Sequence, residues 1–440
     1  MPELNRSIGL TRATAMVVGI IIGASIFAQP SAVTAQVATV RGALLVWVAA
    51  GFLTLIGSLV IAELSSAYPR TGGVYVFLTE SYSPAAGFLW GWAMFWTMHS
   101  GIVAIIAMVF ARYLGTFIPL DDTGLRVAAV LAVVLLSWLN YLGVRQASAL
   151  QVILTAIKVL ALILIIAVAC YHVSRHGGVT PPAQPAHPPT PRAFVLALIA
   201  GLFAFGGWHM VSYAADETVN PTRTIPRALL IGTLTVTALY VGVNAAYLFV
   251  LPLKTVAIST RVAADFADVA IGGSGAEIMA VLVILSTLGA MNGVILAGPR
   301  VYLAMASDGV LFTWAGAVHP VYHTPHRAIV LQAVWSSVLV LTGTYRALFT
   351  RVVYTEWIFF ALLAAALFFL RRRANYQPAY RVWGYPLLPA LFVLSSAGIV
   401  VNQVVHEPAE SAWGLGLVLA GLPVYYFWAR HNRLHRRSGS

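Results

Sequence analysis

Gly19-Ile20-Ile21-Ile22-Gly23-Ala24-Ser25-Ile26-Phe27-Ala28-Gln29-Pro30 lies midway along an apolar segment that runs from about residue 13 to residue 38. Gly23, Ala24 and Ser25 are small and adjacent, glycine and serine hold a helix poorly, and Pro30 follows within about two turns. In hydrocarbon, an unwound backbone survives only where protein or a polar cavity satisfies its N–H and C=O groups. One reading is therefore a broken helix whose bare amides face a ligand near mid-membrane, a recurring device of secondary transporters. The other is a small-residue patch where two helices approach closely. Taken alone, the stretch does not choose between them.

The rest of the chain makes the membrane setting plain. It has 440 residues, 60% hydrophobic and 9% charged, with mean hydropathy +0.85. Soluble domains carry about 25% charged residues, so this is a polytopic membrane protein. The start, Met1 to Arg12, is polar and leads into a segment too long for a signal-peptide core, so no cleavable signal is expected. The single Cys170 leaves no internal disulfide and no multi-cysteine metal site. A net charge of +12 points to membrane orientation through its distribution, not to nucleic acid.

Segments long enough to cross about 30 Å of hydrocarbon fall at 13–38, 42–67, 84–114, 125–143, 147–172, 193–216, 227–251, 277–304, 328–345, 352–370, 385–403 and 412–429. The expected fold is all-α with twelve transmembrane helices. With both termini cytoplasmic, sixteen of the 26 Lys and Arg fall on the inner side, including Arg371 to Arg373 and Arg430 to Arg437, and nine on the outer. Lys158 alone falls within a span.

The connection from His172 to Arg192 carries Pro181, Pro182, Pro185, Pro188, Pro189 and Pro191 and reads as an extended spacer. It stands where a chain of two five-span halves places its linker. The sixth span carries Phe203-Ala204-Phe205-Gly206-Gly207-Trp208, a second glycine-interrupted stretch at the position in the second half that Gly23–Ser25 holds in the first. Interrupted segments at matching positions are the best sequence pointer to a transporter's binding site. An odd span count per half inverts one half relative to the other. The expected division is 1–176 (first repeat, broken first helix), 177–192 (linker), 193–373 (second repeat, broken sixth helix) and 374–440 (two peripheral spans and a basic tail).

Several motifs then carry a specific resemblance. Ile22 to Phe27 resembles the unwound motif of the amino acid–polyamine–organocation superfamily. Ala62-Glu63 through Tyr68-Pro69-Arg70-Thr71-Gly72-Gly73-Val74-Tyr75 is similar to its second span and first inner loop. Phe203 to Trp208, followed by Asp216-Glu217-Thr218-Val219-Asn220-Pro221-Thr222-Arg223, resembles the sixth span and loop of L-type amino acid transporters. Asn292-Gly293 with Gly298 to Gly309, His319-Pro320, Thr324-Pro325, Leu370 to Arg373, Tyr380-Arg381 and Tyr385-Pro386 extend the match in order along nearly the whole chain. The resemblance implies a leucine-transporter-like fold of 5+5 inverted repeats with two peripheral helices. It also implies exchange of neutral L-amino acids by alternating access, without sodium, in the cell (inner) membrane.

The residue types suit such a solute. Free N–H groups at a half-helix N-terminus complement a carboxylate, and unpaired carbonyls at a half-helix end complement an ammonium. The carboxylate is assigned to the amides of Gly23, Ala24, Ser25 and Ile26. The ammonium is assigned to carbonyls of Ile21 or Ile22 and of Phe203, Ala204 and Phe205, with Gly206 and Trp208 completing the candidate set. The family commonly has glycine where Ser25 stands, and often Asn where His209 stands. His209 reads either as a pocket or proton-sensitive residue or as a histidine bonded at a helix contact. Phe203 is the candidate outer gate; ordinary packing is its alternative.

A mid-span lysine costs about 2.5–3.5 kcal/mol on insertion scales, so Lys158 must reach carbonyls or hydroxyls, or snorkel. In sodium-independent relatives the matching lysine stands where a sodium ion sits, and Tyr240 matches a tyrosine near it; these two are the candidate coupling residues. Glu356 either joins a gate or pairs with Arg351 or Arg346. Glu63, Arg70, Asp216, Glu217, Arg223 and Arg300 gather at inner helix ends, as a solvated face or as an inner gate built on Glu63, Arg70, Glu217 and Arg223.

The alternatives are a proton-coupled amino acid symporter with Lys158 titrating, and a polytopic membrane enzyme. The eleven His show no paired ligand spacing within a span, so no catalytic residue, metal or cofactor is expected. The eukaryotic L-type transporters that the chain resembles hold a single-span partner through a cysteine in the outer loop between spans three and four. Here that loop, Gly115 to Gly124, has none and Cys170 lies on another span, so the resemblance implies no disulfide-linked heavy chain.

Overall fold

Lipid offers no partner to a peptide group, so a chain this apolar must bond its backbone within helices. In the computed structural model, which describes residues 4–179, 190–272 and 275–428, it does so. The described residues hold eighteen α-helices and no strand beyond one isolated parallel bridge, Ile8 to Thr218. The proline spacer of residues 181–189 and the cluster Arg430 to Arg437 lie outside the described residues.

The first predicted span is two helices, α1 (Leu10–Ile21) and α2 (Ser25–Gln36), bent by 48°. α3 (Val40–Ala67) is the second, and α4 (Val74–Ser81) fills the connection after it. α5 (Pro84–Ala93) continues through a π-helical turn, Met94–Met98, into α6 (His99–Leu114). α7 (Asp122–Leu142) and α8 (Val144–His176) follow, then α9 (Pro191–Ala204) and a 3₁₀ stretch, Trp208–Glu217. α10 (Pro221–Val250) leads to two short helices, α11 (Leu253–Ile258) and α12 (Val262–Ala270). α13 (Gly275–Ala297) runs on into α14 (Pro299–Ser307), with a 3₁₀ turn at Thr313–Gly316. The remaining helices are α15 (His326–Thr342), α16 (Tyr345–Leu370), α17 (Leu387–His406) and α18 (Pro408–Leu419), the last remaining helical to Trp428.

Each of the twelve predicted segments coincides with a helix. Ten are long and apolar enough to cross a membrane, and the bent α1–α2 pair makes an eleventh. α15, at 17 residues, is about 25 Å long, short of the hydrocarbon thickness. The helices α4, α11 and α12 were not legible from hydropathy, because short helices leave no long apolar run, and the π turn is hidden inside the apolar segment 84–114.

Polar residues mark the helix starts: Thr39, Ser83, Asp121 and Thr190 each accept from a backbone N–H three residues on, and Pro84 and Pro191 open their helices. α3 and α10 pack along their lengths, joined by a 2.8 Å hydrogen bond between the Ser58 and Thr233 hydroxyls, the small polar contact that membrane helices favour. α1 is enclosed by α8, α10 and α13, and α2 lies against α9 and α11. Leu131, Leu135, Trp138, Leu160 and Leu164 point outward from α7 and α8, forming an apolar band suited to lipid.

Candidate functional site

The site is built by the two breaks, and they stand side by side. α1 stops at Ile21; Ile22 turns away with ψ 87°, and Gly23 N–H folds back on the Ile21 carbonyl at 2.8 Å. α2 then starts with no side-chain cap. Among the described residues, the amides of Ala24, Ser25 and Ile26 donate no hydrogen bond, the next donor along the chain being Phe27 N–H to the Ala24 carbonyl at 3.1 Å. Three N–H groups thus point out of a helix N-terminus, the arrangement that attracts an anion.

The second break begins where α9 ends at Ala204. Gly207 takes φ +92°, a left-handed conformation that costs a side chain dearly and glycine nothing. A Cβ there would also collide with Ile20 of α1, so this glycine both turns the chain and lets the two broken helices touch. Phe205 is buried between Trp47 and Tyr240, with ring centroids 6.5 and 5.0 Å away.

One side chain ties the breaks together. The Tyr240 hydroxyl lies 2.9 Å from the Ile21 carbonyl and 3.2 Å from the Ala204 carbonyl, the two chain ends at which α1 and α9 stop. A hydroxyl has one proton, so it donates to one carbonyl at a time. Lys158, buried on α8, donates to the Gly19 carbonyl at 2.9 Å and the Ile22 carbonyl at 2.7 Å; it therefore does not snorkel. Ser286 of α13 also donates to the Ile22 carbonyl, at 3.3 Å. Gly289 lies directly over the lysine: a Cβ there would stand 2.9 Å from Nζ. A gap of about 10 Å³ lined by Ile22, Phe27, Lys158 and Ser286 is roughly one water in size, so an amino acid enters only when the surrounding helices part.

The carbonyls expected to hold an ammonium are mostly engaged in this conformation. Ile22 serves Lys158 and Ser286, Ile21 and Ala204 face Tyr240, and the Phe203 carbonyl accepts from Gly206 N–H at 3.3 Å. Phe203 and Gly206 are exposed, with Ala24 and Ser25 half-buried. The Trp208 ring lies among Gly57, Phe360 and Phe392.

The charged residues expected at the inner ends do gather at one end of the bundle, but only some form buried pairs. Glu63, wholly buried, accepts from Arg371 at 2.9 and 2.6 Å and from Val382 N–H at 2.6 Å. The Glu63 carboxylate beside it pushes the Arg371 guanidinium above its ordinary value. Glu217 and Arg300 form a two-contact pair, one contact at 2.8 Å, with side chains 0% and 2% exposed. The Glu217 carbonyl also accepts from Ser7 and Ile8 N–H, both at 2.9 Å. Asp216 bonds the Thr71 backbone at 3.1 Å. Arg70 instead pairs with Glu80 at the surface, and Arg223 is exposed, outside these pairs.

Glu356 lies 3.7 Å from His209. Arg351 is taken by Glu410, which removes the expected Glu356–Arg351 pairing; the side chain of Arg346 lies outside the described residues. Ser286, Gly289 and the Glu63–Arg371 partnership were not singled out from sequence.

The sequence that carries these two breaks matches, over residues 8–423, a family model described as amino acid permease. The chain belongs to the amino acid permease family. This permease is 31% identical over 433 residues to the large neutral amino acids transporter small subunit 2 of Homo sapiens, covering 96% of this chain and 80% of the relative. It is 30% identical over 429 residues to the serine/threonine exchanger SteT of Bacillus subtilis (strain 168), covering 96% and 97%. With the Asc-type amino acid transporter 1 of Mus musculus it shares 32% over 450 residues, covering 98% and 84%. It is a multi-pass membrane protein that carries amino acids and is not an enzyme.

Tyr240→Phe should lower the permease's transport about tenfold, because it strands one carbonyl at the joint between breaks, a loss of about 1–2 kcal/mol. Initial uptake rates in proteoliposomes, scaled to incorporated protein, measure this; a rate within twofold of the parent discounts the bridge.

Proposed function

We propose that this permease exchanges neutral L-amino acids across the cell membrane by alternating access, without sodium. The supporting observation is the trio of unpaired amides at Ala24, Ser25 and Ile26, set beside the α9 break through Tyr240. In this reading those amides hold the substrate carboxylate, and carbonyls of Ile21, Phe203, Ala204 and Phe205 receive the ammonium as Tyr240 shifts its single proton. Phe203 closes over the substrate from the outer side. Lys158 holds the Gly19 and Ile22 carbonyls with a fixed amine, a role for which other carriers use a cation.

The chain crosses the membrane twelve times, α15 being the shortest crossing. Residues 1–176 and 193–373 form inverted repeats, 177–192 links them, and 374–440 adds the peripheral spans and tail. Both termini are cytoplasmic, which places the Glu63–Arg371 and Glu217–Arg300 pairs at the inner gate. The carrier works without a disulfide-linked heavy chain; Cys170, exposed, lies on α8, not in the loop between the third and fourth spans. The names of the relatives agree with the substrate class, one of them being a neutral amino acid transporter and another an exchanger.

Counterflow tests this. Liposomes loaded with unlabelled alanine should take up labelled alanine at least tenfold faster than empty ones, and at the same rate when choline replaces sodium. Uptake that ignores internal amino acid but follows an imposed pH gradient would instead establish proton symport.

A further inference from the structure

We propose that His172 and His176, at the C-terminal end of α8, form a two-histidine site for a divalent transition-metal ion of the zinc, nickel and copper class, with water completing the coordination. The inference is independent of the exchange reading and concerns a part of the chain that the two breaks do not use.

The two residues stand one helical turn apart, so their side chains leave α8 on the same face. Their ring centroids are 4.7 Å apart and the ring planes differ by 30°. A shared ion asks for that separation. It sits about 2.0–2.1 Å from each ligating nitrogen, hence about 3.2 Å from each ring centre. With an angle of about 90–110° at the metal, from octahedral to tetrahedral, the ring centres stand about 4.5–5.2 Å apart.

The protonation pattern suits a ligand as well. His176 Nδ1 lies 3.2 Å from the His172 carbonyl oxygen, so its N–H donates there and Nε2 keeps a bare lone pair. A carbonyl holding one ring nitrogen while the other takes the metal is the usual support for a ligating histidine. Neither ring nitrogen of His172 has a protein partner among the described residues. Arg175, whose charge opposes a cation, is drawn over the Tyr171 ring at 5.7 Å. No cluster of three metal-ligating side chains occurs among the described residues, so the protein supplies two imidazoles. These suit zinc, nickel and copper, and not calcium or magnesium, which take oxygen.

Aqueous ions reach the pair. His172 stands about 21 Å along α8 from Lys158, which holds the first break, and half the hydrocarbon is only about 15 Å thick. His172 is half-buried and His176 exposed. Gly177 then takes φ +77° and ends the helix, so the chelate closes the last turn before the chain leaves for its linker. The pair escaped the search for ligand spacing within spans because the expected fifth span ends at residue 172.

Calorimetric titration of the purified full-length permease, carrying a tag without histidine, tests this. Zinc and nickel should each bind at one site, and magnesium should give no heat. His172→Gln and His176→Gln should each weaken zinc binding at least about tenfold, the least that loss of even an outer-shell partner costs. The double variant should bind no more weakly than either, because one loss already leaves a single imidazole. Moving the second histidine, by His176→Gln with Ser174→His, should bind as weakly as the single variants, since residues two apart do not face each other on a helix. All variants should match the parent's thermal unfolding midpoint without metal, which shows them folded. A parent that binds no zinc, zinc affinity within twofold of the parent in both single variants, or a moved pair that binds as tightly as the parent overturns the site.

Discussion

Lys158→Met should reduce amino acid exchange about 100-fold, with the protein still inserted in the membrane. The methionine keeps the length and the apolar stem but has no donor. It leaves the Gly19 carbonyl without the lysine bond and the Ile22 carbonyl with Ser286 alone. Each lost bond is worth about 1–2 kcal/mol at a buried carbonyl, so together they remove about 3 kcal/mol from the open-turned state of the break, or about two powers of ten. The segment Ile22–Ala24 then gains by winding into a continuous helix with α2, which uses up the amides the substrate needs. Gly289 adds a second handle, because a larger residue there occupies the space of the amine. Gly289→Val should therefore mimic Lys158→Met. Counterflow scaled to incorporated protein reads both, and a Lys158→Met rate above half that of the parent shows the amine is dispensable.

How much of this was legible beforehand follows from what hydropathy and small residues encode. All twelve apolar segments became helices, since length and apolarity are all that a membrane asks of a span. The two breaks were readable because glycine-interrupted stretches at matching positions, Gly23-Ala24-Ser25 and Gly206-Gly207, weaken a helix wherever it lies. Lys158 was readable because an amine at mid-span must find acceptors, and it found the carbonyls freed by the first break. Partner choice was not legible. Glu63 pairs with Arg371 across 308 positions of sequence, set by how α3 and α16 meet, and Arg70 pairs with Glu80 of α4 instead of with a buried acid. Nor did the pattern reveal that Trp208 turns toward Gly57 and Phe392 while the next residue, His209, turns toward Trp90.

Arg300→Met should destabilise the folded protein more than removal of both members of its ion pair. The substitution leaves the Glu217 carboxylate wholly buried with no cation beside it, a cost of about 3–5 kcal/mol, whereas an apolar pair of similar volume is often neutral. Thermal unfolding in detergent should therefore show a large drop in midpoint for Arg300→Met and recovery of more than half of it in Glu217→Leu/Arg300→Met. The same double variant should exchange amino acids at least tenfold more slowly. Charges released into water on opening regain their hydration, so an ion pair parts at little cost. Parting one buried leucine or methionine from its neighbours costs about 1.5–3 kcal/mol, which converts to roughly ten- to a hundredfold in the open population. A double variant as unstable as the single one denies that the two charges depend on each other. A stable double variant exchanging at the parent rate denies that this contact has to open.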